Sequence, residues 1–199
     1  MDLQRVADHD PVAVTDGARE AAVLAPVVDR PDGEHLLFIK RADHLGEHPG
    51  QMSFPGGGRE PTDADLAGTA TREAREEVGL PPAAVDVVGR LDDIRTVTDY
   101  AVRPFVGRVP DRTYEPADDE VAETAVLPLS ALTDPDNYDS ERRDHPRYGE
   151  IRVHYFRVDG YTVWGATGRM LVQLLELATD WRVPAQPDRI VDADADFPV

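Results

Sequence analysis

The chain has 199 residues, of which 41% are hydrophobic, which fits one globular domain and excludes a disordered protein. It contains no cysteine, so disulfides, thiolate metal sites and cysteine nucleophiles are excluded. The formal net charge is −18, from 39 acidic and 21 basic side chains, and this argues against nucleic acid as a partner because DNA binding needs a basic face.

The acidic side chains are spread along the whole chain, and Lys40 is the only lysine. Such a bias indicates either an acidic surface for a basic partner or adaptation to a salty cytoplasm, where ions screen self-repulsion. We favour halophilic adaptation because the bias is global. The first residues lack the apolar segment of a signal peptide, and no stretch approaches the roughly 20 apolar residues that cross a bilayer. We therefore expect a cytoplasmic protein without a membrane partner.

The composition divides the chain into three parts. Residues 1–19 are predicted to be a loosely ordered lead-in, residues 20–183 a domain, and residues 184–199 an acidic, flexible tail. Short apolar segments bounded by Pro, Asp or Gly predict strands at residues 20–28 and 35–41.

A loop rich in glycine and proline follows, and after it comes the clearest helix of the chain. Thr62 or Asp63 is the predicted N-cap, with Asp65 in the first turn, and Gly79 is the predicted C-cap. The apolar residues recur at four-residue spacing and form the stripe that the helix buries, which consists of Leu66, Ala70, Ala74 and Val78.

The second half of the chain alternates between strands and a helix. Strands are predicted at residues 85–97, 100–109 and 121–127, and the last is followed by a short turn. Residues 151–158 and 161–164 form a predicted hairpin around Asp159-Gly160, and residues 167–179 a predicted second helix. This order predicts an α+β fold, an α/β/α sandwich in which a mixed β-sheet carries helices on its faces.

Three carboxylates share one face of the first helix. Glu73, Glu76 and Glu77 lie at i, i+3 and i+4, within an arc of about 100 degrees, and would repel one another unless a cation lies between them. A hard divalent cation such as Mg²⁺ or Mn²⁺ prefers oxygen ligands of this kind. Arg72 lies four residues before Glu76 and can brace it. The alternative is a solvated helix face held by salt bridges.

The surrounding residues resemble the Nudix box, in which a glycine and a glutamate precede Arg-Glu-apolar-any-Glu-Glu-any-Gly-apolar. The chain matches this pattern at Gly58, Arg72, Glu73, Ala74, Glu76, Glu77, Gly79 and Leu80. It departs at the early glutamate position, which is Ala64.

The resemblance implies a Nudix fold and a catalytic role for four residues. Glu76 and Glu77 would be metal ligands, and Glu73 a ligand or a base for the attacking water. Arg72 would orient the glutamates. Oxygen ligands on a rigid helix also leave coordination positions open for water and phosphate oxygens.

The segment before the box resembles that of Nudix coenzyme A pyrophosphatases. The matches are Leu36-Leu37, Arg41, His48, Gly50-Gln51, Phe54-Pro55-Gly56-Gly57 and the acidic pair Glu60 and Asp63. In this subgroup the acidic pair tends to replace the box glutamate, so Ala64 is less anomalous. The resemblance covers residues 34–109 well and 161–177 moderately.

The substrate-binding prediction consists of four residues, Arg41, Arg59, Gly56 and Gly57. The two arginines offer bidentate phosphate contacts, although Arg41 can equally be a surface charge at a strand end. Subgroup members often carry a second loop arginine where this chain has Gly46. Glu120 is a candidate additional metal ligand, or one more acidic surface residue.

The predicted reaction is hydrolysis of coenzyme A or acyl-coenzyme A to adenosine 3′,5′-bisphosphate and (acyl-)4′-phosphopantetheine, dependent on Mg²⁺ or Mn²⁺. Another nucleotide derivative such as ADP-ribose is the nearer alternative. A Nudix-fold domain that binds a nucleotide without turnover is the other, and the intact glutamate set argues against it. The partner expected is a small nucleotide, and the oligomeric state, including a homodimer, stays open.

Overall fold

The computed structural model describes residues 1–46, 48–96, 98–145, 149–193 and 195–197. Two sheets and four α-helices make up this part of the chain. The first sheet has eight strands: β1 (Arg19–Arg30), β2 (Gly33–Arg41), β3 (Met52–Ser53), β4 (Gly56–Gly58), β5 (Asp86–Arg90), β6 (Ile94–Arg95), β7 (Tyr100–Val109) and β8 (Val121–Pro128). The second has four: β9 (Tyr138–His145), β10 (Gly149–Val158), β11 (Tyr161–Val163) and β12 (Arg189–Val191).

The helices are α1 (Gln4–Ala7), α2 (Leu66–Val78), α3 (Leu129–Leu132) and α4 (Gly165–Ala178). Short 3₁₀ turns lie at Pro82–Ala84 and Pro135–Asn137. No helix among the described residues is long and apolar enough to cross a membrane.

The first sheet is mixed, as predicted. Strands β1 and β7 pair in parallel over ten residues, from Arg19 with Tyr100 to Val28 with Val109. The other pairings are antiparallel, and β1 pairs with β2 at one end and with β4 at the other. The path β3-β2-β1-β7-β5 forms the centre, with β8 beside β2 and β6 beside β7.

Helices cover both faces of this sheet, which confirms the predicted layered α+β architecture. The apolar stripe of α2 packs with Ala22, Leu24, Leu37 and Ile39 on one face. On the other face a larger core joins residues of the sheet to α1, α4 and the second sheet. Alternate residues of β2 therefore point into different cores, which explains its nearly continuous apolar sequence.

The predicted strand at residues 85–97 is two short strands, β5 and β6, separated by residues 91–93, which belong to neither. Backbone N–H groups of Val12 and Val14 donate to the carboxylates of Asp92 and Asp93 in this connection. Residue 97, the end of the predicted strand, lies outside the described residues.

The segment before β1 is more ordered than the sequence predicted. Leu3 and Val6 are buried in the core, and the Asp2 N–H donates to the Ala178 carbonyl. Two apolar residues in a polar segment were too weak a signal for this packing. The domain boundaries themselves remain predictions.

The tail also contains structure that the sequence did not predict. Strand β12 pairs in parallel with β9, and Asp188 accepts a hydrogen bond from the Ser140 N–H at 2.8 Å. The sequence prediction also missed β9, because its charged sequence shows no apolar alternation. Residues 194, 198 and 199 of the predicted tail lie outside the described residues.

The hairpin around Asp159-Gly160 joins β10 to β11, as predicted, with positive φ at both turn residues. The predicted turn after β8 is the short helix α3. Helix α4 begins two residues earlier than predicted and ends one residue earlier.

Candidate active site

Helix α2 is fixed at both ends and along one side. The Asp65 carboxylate accepts the Gly68 N–H at 2.8 Å, and the helix ends at Gly79, whose φ of 63° is left-handed. The sequence predicted the C-cap correctly and placed the N-cap two or three residues too early. Asp63 does not cap the helix, because its carboxylate contacts Arg72 instead.

The glycine strand β4 lies directly against the carboxylate face of α2. The Gly56 N–H donates to Glu77 Oε2 at 2.9 Å. A Cβ at Gly57 would lie 2.4 Å from Glu73 Oε1, so this position has no room for a side chain while Glu73 keeps its place. The structure thus brings the predicted Gly56 and Gly57 to two of the three predicted glutamates.

Glu77 is an almost fully buried acid, with 3% of its surface exposed. Burial raises the pKa of Glu77 to about 8, and the negative charges of Glu73 and Asp118 add to this shift. The Gly56 N–H and the positive charge of Arg41 oppose it. The sequence thus places an acidic group where the fold disfavours its charged form, which is typical of a functional site.

Arg72 joins the other carboxylates of this face. Its Nη1 donates to Glu76 Oε2 at 2.8 Å, and its Nη2 lies 3.0 Å from Glu73 Oε1. The same Nη2 donates to the Gly58 carbonyl at 2.9 Å, which ties the helix to the glycine strand. Contact with Asp63 and the neighbouring glutamates raises the pKa of the Arg72 guanidinium above its usual range.

Glu73 and Glu76 differ in exposure. Burial raises the pKa of Glu73, Arg72 opposes this, and the charges of Glu76 and Glu120 add to it. The side chain of Glu76 is 42% exposed and also lies 3.6 Å from Arg75 Nη2. All three predicted glutamates therefore belong to one charged cluster, with Glu77 innermost and Glu76 at the surface.

The segment between β7 and β8 brings two further acids towards the cluster. The Ala117 N–H donates to the Glu77 carbonyl at 2.9 Å, which fixes this segment to the last turn of α2. Asp118 and Glu120 follow, and their charges raise the pKa of Glu77 and of Glu73, respectively. Glu120 is the additional carboxylate predicted from the sequence. Asp118 was not predicted, although the acidic run before β8 was a usable signal.

The two predicted arginines lie in different places. Arg41, at the end of β2, is near enough for its charge to act on Glu77. Arg59 Nη1 instead donates to Glu20 Oε2 at 2.7 Å on the surface. Among the described contacts of Arg59, none reaches a glutamate of α2.

Comparison with known proteins identifies the family. The sequence model of the NUDIX domain matches residues 18–148. The chain belongs to the Nudix hydrolase family. These enzymes act on pyrophosphate bonds, so this chain is a hydrolase of that type.

Curated relatives of the Nudix hydrolase support this assignment over most of its length. The uncharacterized Nudix hydrolase NudL of Cronobacter sakazakii is 43% identical over 157 residues, which cover 78% of this chain and 81% of the relative. NudL of Enterobacter sp. (strain 638) is 41% identical over 160 residues, with the same coverage. A solved MutT/nudix family protein from Enterococcus faecalis has a TM-score of 0.53 at 10% identity, covering 84% of this chain and 63% of that one, and shows a shared fold.

The donor set of this Nudix hydrolase suits the divalent cations, such as Mg²⁺ or Mn²⁺, that the family generally uses. Its candidate ligands are all carboxylate oxygens, and burial together with nearby negative charges raises the pKa of both Glu73 and Glu77. Within the described ranges, however, no three acidic or histidine side chains converge on a ready-made cation position. The cluster supplies suitable donors, while Arg72 contacts two of them.

Proposed function

We propose that this Nudix hydrolase cleaves coenzyme A or acyl-coenzyme A to adenosine 3′,5′-bisphosphate and (acyl-)4′-phosphopantetheine. Water would attack one phosphorus of the diphosphate, the bridging P–O bond would break, and the other phosphate would leave. No covalent enzyme intermediate is needed. Hydrolysis of a nucleoside diphosphate derivative is the coarser activity that the family membership supports.

The observation that carries the proposal is the carboxylate cluster of α2 held against a side-chain-free strand. Glu77 is buried close enough to Glu73 for the charge of Glu73 to raise the pKa of Glu77. Because Gly56 and Gly57 lack side chains, β4 packs directly against Ala22 and Glu73. A buried group with excess negative charge is costly unless a cation or a proton offsets it. Such a destabilising burial of carboxylates is expected at a site that is stabilised when its cation and substrate are bound rather than when it is empty.

The proposed roles follow the positions of the side chains. Glu76 and Glu77 hold the cation, with Glu120 as a further candidate, and Glu73 either joins them or accepts a proton from the attacking water. A bound Mg²⁺ or Mn²⁺ would neutralise charge on the diphosphate oxygens and make water easier to deprotonate. Arg72 orients Glu73 and Glu76, which it already contacts.

The choice of coenzyme A rests on the resemblance of residues 34–109, and more moderately of 161–177, to coenzyme A pyrophosphatases. Arg41 supports this choice, since it lies near the cluster and carries the charge a phosphate needs. Arg59 is a weaker candidate because Glu20 already pairs with it. The coenzyme A pyrophosphatases often have an arginine where this chain has Gly46. Because this arginine is missing here, ADP-ribose stays the alternative substrate.

The test is incubation of the purified protein with coenzyme A and, separately, ADP-ribose, each with Mg²⁺ or Mn²⁺ in concentrated salt. Chromatography with mass detection would identify the products. We expect 4′-phosphopantetheine and adenosine 3′,5′-bisphosphate. Cleavage of ADP-ribose alone would overturn the coenzyme A assignment, and binding without cleavage would contradict the proposed chemistry.

A matched pair of variants links any turnover to the cluster. Glu77→Gln keeps the shape of the side chain and should lower turnover by on the order of 10³-fold. Glu150→Gln, on an exposed part of β10 where the glutamate lies 3.6 Å from Arg142, should leave turnover unchanged. Equal loss in both variants would point to a general effect of charge and remove Glu77 from the proposed site.

A further inference from the structure

Asp63 has an unusual position for an acid in a loop before a helix. Its side chain is only 5% exposed, although the residues around it are at the surface. Its Oδ1 accepts Arg72 Nε at 3.0 Å, and its Oδ2 accepts Arg72 Nη2 at 3.2 Å. This is a side-on, two-point contact that fixes the plane of the guanidinium.

Asp63 is itself held in place by the protein. Its Oδ2 also accepts the Glu60 N–H at 2.9 Å and the Thr69 hydroxyl at 2.9 Å. Thr69 is fully buried on α2, so the carboxylate is tied to the helix as well as to its own loop. The orientation of Asp63 is therefore set independently of Arg72.

Asp63 is not needed to begin the helix, because Asp65 performs the capping. The two acids lie two residues apart and have separate partners. Asp65 accepts a backbone N–H of the first turn of α2, and Asp63 accepts the Arg72 side chain of the second turn. A variant of Asp65 can therefore serve as the control for a variant of Asp63.

Four carboxylates lie within 4.0 Å of the Arg72 guanidinium. Those of Asp63, Glu73 and Glu76 are at 3.0 Å or less, and that of Glu60 is at 4.0 Å. Asp63 accepts hydrogen bonds from Nε and Nη2 of Arg72. This leaves Arg72 Nη1 to donate to Glu76, while Nη2 also lies 3.0 Å from Glu73. Without the charge of Asp63, the guanidinium would neutralise the two glutamates more completely and oppose cation binding by them.

We propose that Asp63 is a positioning residue, which holds Arg72 in the orientation that leaves Glu73 and Glu76 able to bind a divalent cation. The inference rests on the proposed function of the α2 cluster. Asp63 touches neither substrate nor cation in this account. It acts through Arg72, as an outer hydrogen-bond partner that orients the groups bound to a metal.

The test compares Asp63→Asn with Asp65→Ala in the full-length protein. Mn²⁺ affinity is measured without substrate by electron paramagnetic resonance, and kcat and KM are measured with the substrate that the protein turns over. For Asp63→Asn we expect Mn²⁺ binding about 10-fold weaker and kcat lower by about 10- to 100-fold, with KM little changed. Asp65→Ala should lower the melting temperature and leave Mn²⁺ affinity unchanged.

A second variant keeps the proposal testable if Asp63→Asn fails to fold. Thr69→Val preserves the shape of the buried side chain and removes the hydroxyl that holds Asp63 Oδ2. It should weaken Mn²⁺ binding in the same direction, by a smaller factor. Unchanged Mn²⁺ affinity in the folded variants would overturn the role of Asp63, whereas a wild-type protein that binds no Mn²⁺ would overturn the proposed cluster itself.

Discussion

Two networks of carboxylates and arginines occur in this molecule, and they differ in their charge balance. The α2 network consists of Asp63, Arg72, Glu73, Glu76 and Glu77. The second-sheet network consists of Glu141, Arg143, Tyr155 and Arg189. Both combine the same kinds of side chain, and both contain a nearly inaccessible glutamate, Glu77 at 3% and Glu141 at 1% exposure.

The second-sheet network compensates its buried charge fully. Glu141 Oε1 accepts from Arg143 Nε at 3.0 Å, from Arg143 Nη2 and from the Tyr155 hydroxyl at 2.8 Å. Arg143 Nη1 donates to the Ala195 carbonyl at 2.8 Å, and Arg189 lies 3.5 Å from Glu141 Oε2. Each buried polar group has a partner, which is what a stable interior requires.

The α2 network has more acids than it can compensate. Three carboxylates of the network share Arg72, and Glu60 lies 4.0 Å from the same guanidinium. Burial and neighbouring negative charge also raise the pKa of Glu77. We therefore expect the second-sheet network to contribute to stability and the α2 network to give up stability for its proposed function. Matched substitutions can test this difference.

The largest expected contrast comes from Glu141→Gln and Glu77→Gln. Glu141→Gln leaves Arg143 buried without its counter-charge and should destabilise the fold by about 3–5 kcal/mol, with little change in turnover while the protein is folded. Glu77→Gln should lower turnover by on the order of 10³-fold and stabilise the metal-free fold by about 1 kcal/mol. Denaturant unfolding and steady-state kinetics measure both. Stability changes of the same sign would refute the distinction.

A second contrast lies within the glycine strand of the α2 network. A Cβ at Gly56 would lie 2.4 Å from the Ala22 carbonyl oxygen, so Gly56→Ala should cost about 3 kcal/mol of folding free energy. The three atoms nearest a Cβ at Gly57 all belong to the movable carboxylate of Glu73. Gly57→Ala should therefore fold normally and lose turnover by about 10²-fold through the displacement of Glu73. Normal kinetics for Gly57→Ala would mean that the position of Glu73 is not important for catalysis.

The second sheet should also show a pH effect of its own. Burial lowers the pKa of His154 from 6.5 to about 4, with the charges of Arg152 and Arg169 adding to the shift, and a hydrogen bond joins its Nδ1 to the Tyr138 hydroxyl. The unfolded chain therefore takes up the proton first as the pH falls, and the contribution of His154 to stability is lost between about pH 6.5 and 4.

Between pH 7 and 4.5 the wild-type protein should accordingly lose about 2 kcal/mol more unfolding free energy than His154→Gln. Urea denaturation at a series of pH values in constant salt measures the difference. Parallel pH profiles of the two proteins would show that His154 titrates alike in the folded and unfolded states.

The smallest expected effect concerns the end of the tail. The Phe197 ring lies 3.9 Å from the Arg143 guanidinium carbon and 4.8 Å from the Trp164 ring. Phe197→Ala should destabilise the fold by about 1 kcal/mol. Ile190→Ala, at a side chain that is 77% exposed on β12, is the control and should change stability by less than about 0.5 kcal/mol. Equal effects would mean that the ring contributes nothing specific.

The sequence predicted those parts of the molecule whose signals are local. The period of the α2 stripe, the C-cap at Gly79 and the glutamate spacing all lie within one segment, so the helix and its charged face could be predicted. The N-cap was misplaced because Thr62, Asp63 and Asp65 are all residues that cap helices well. Only the fold distinguishes the acid that contacts Arg72 from the one that contacts the backbone.

The parts that the sequence missed depend on distant partners. Strand β9 buries Glu141 and Arg143, and charged residues are rarely buried unless they are paired. Strand β12 exists by pairing with β9, about fifty positions earlier in the chain. Asp118 reaches the cluster because Ala117 bonds to the end of α2. The hydrophobic periodicity of a short sequence segment contains no information about contacts with residues so far away in the chain.

The parallel pairing of β1 with β7 has a consequence for how the protein folds. It joins residues about eighty positions apart, and the glycine strand and α2 both lie in the stretch of chain that it encloses. Contacts of such long range form slowly, because the entropy of closing the loop is lost before the pairing stabilises it. Helix α2 packs on residues of both strands, including Leu24 and Val109, so we expect its packing on the sheet to be completed only after these strands have paired.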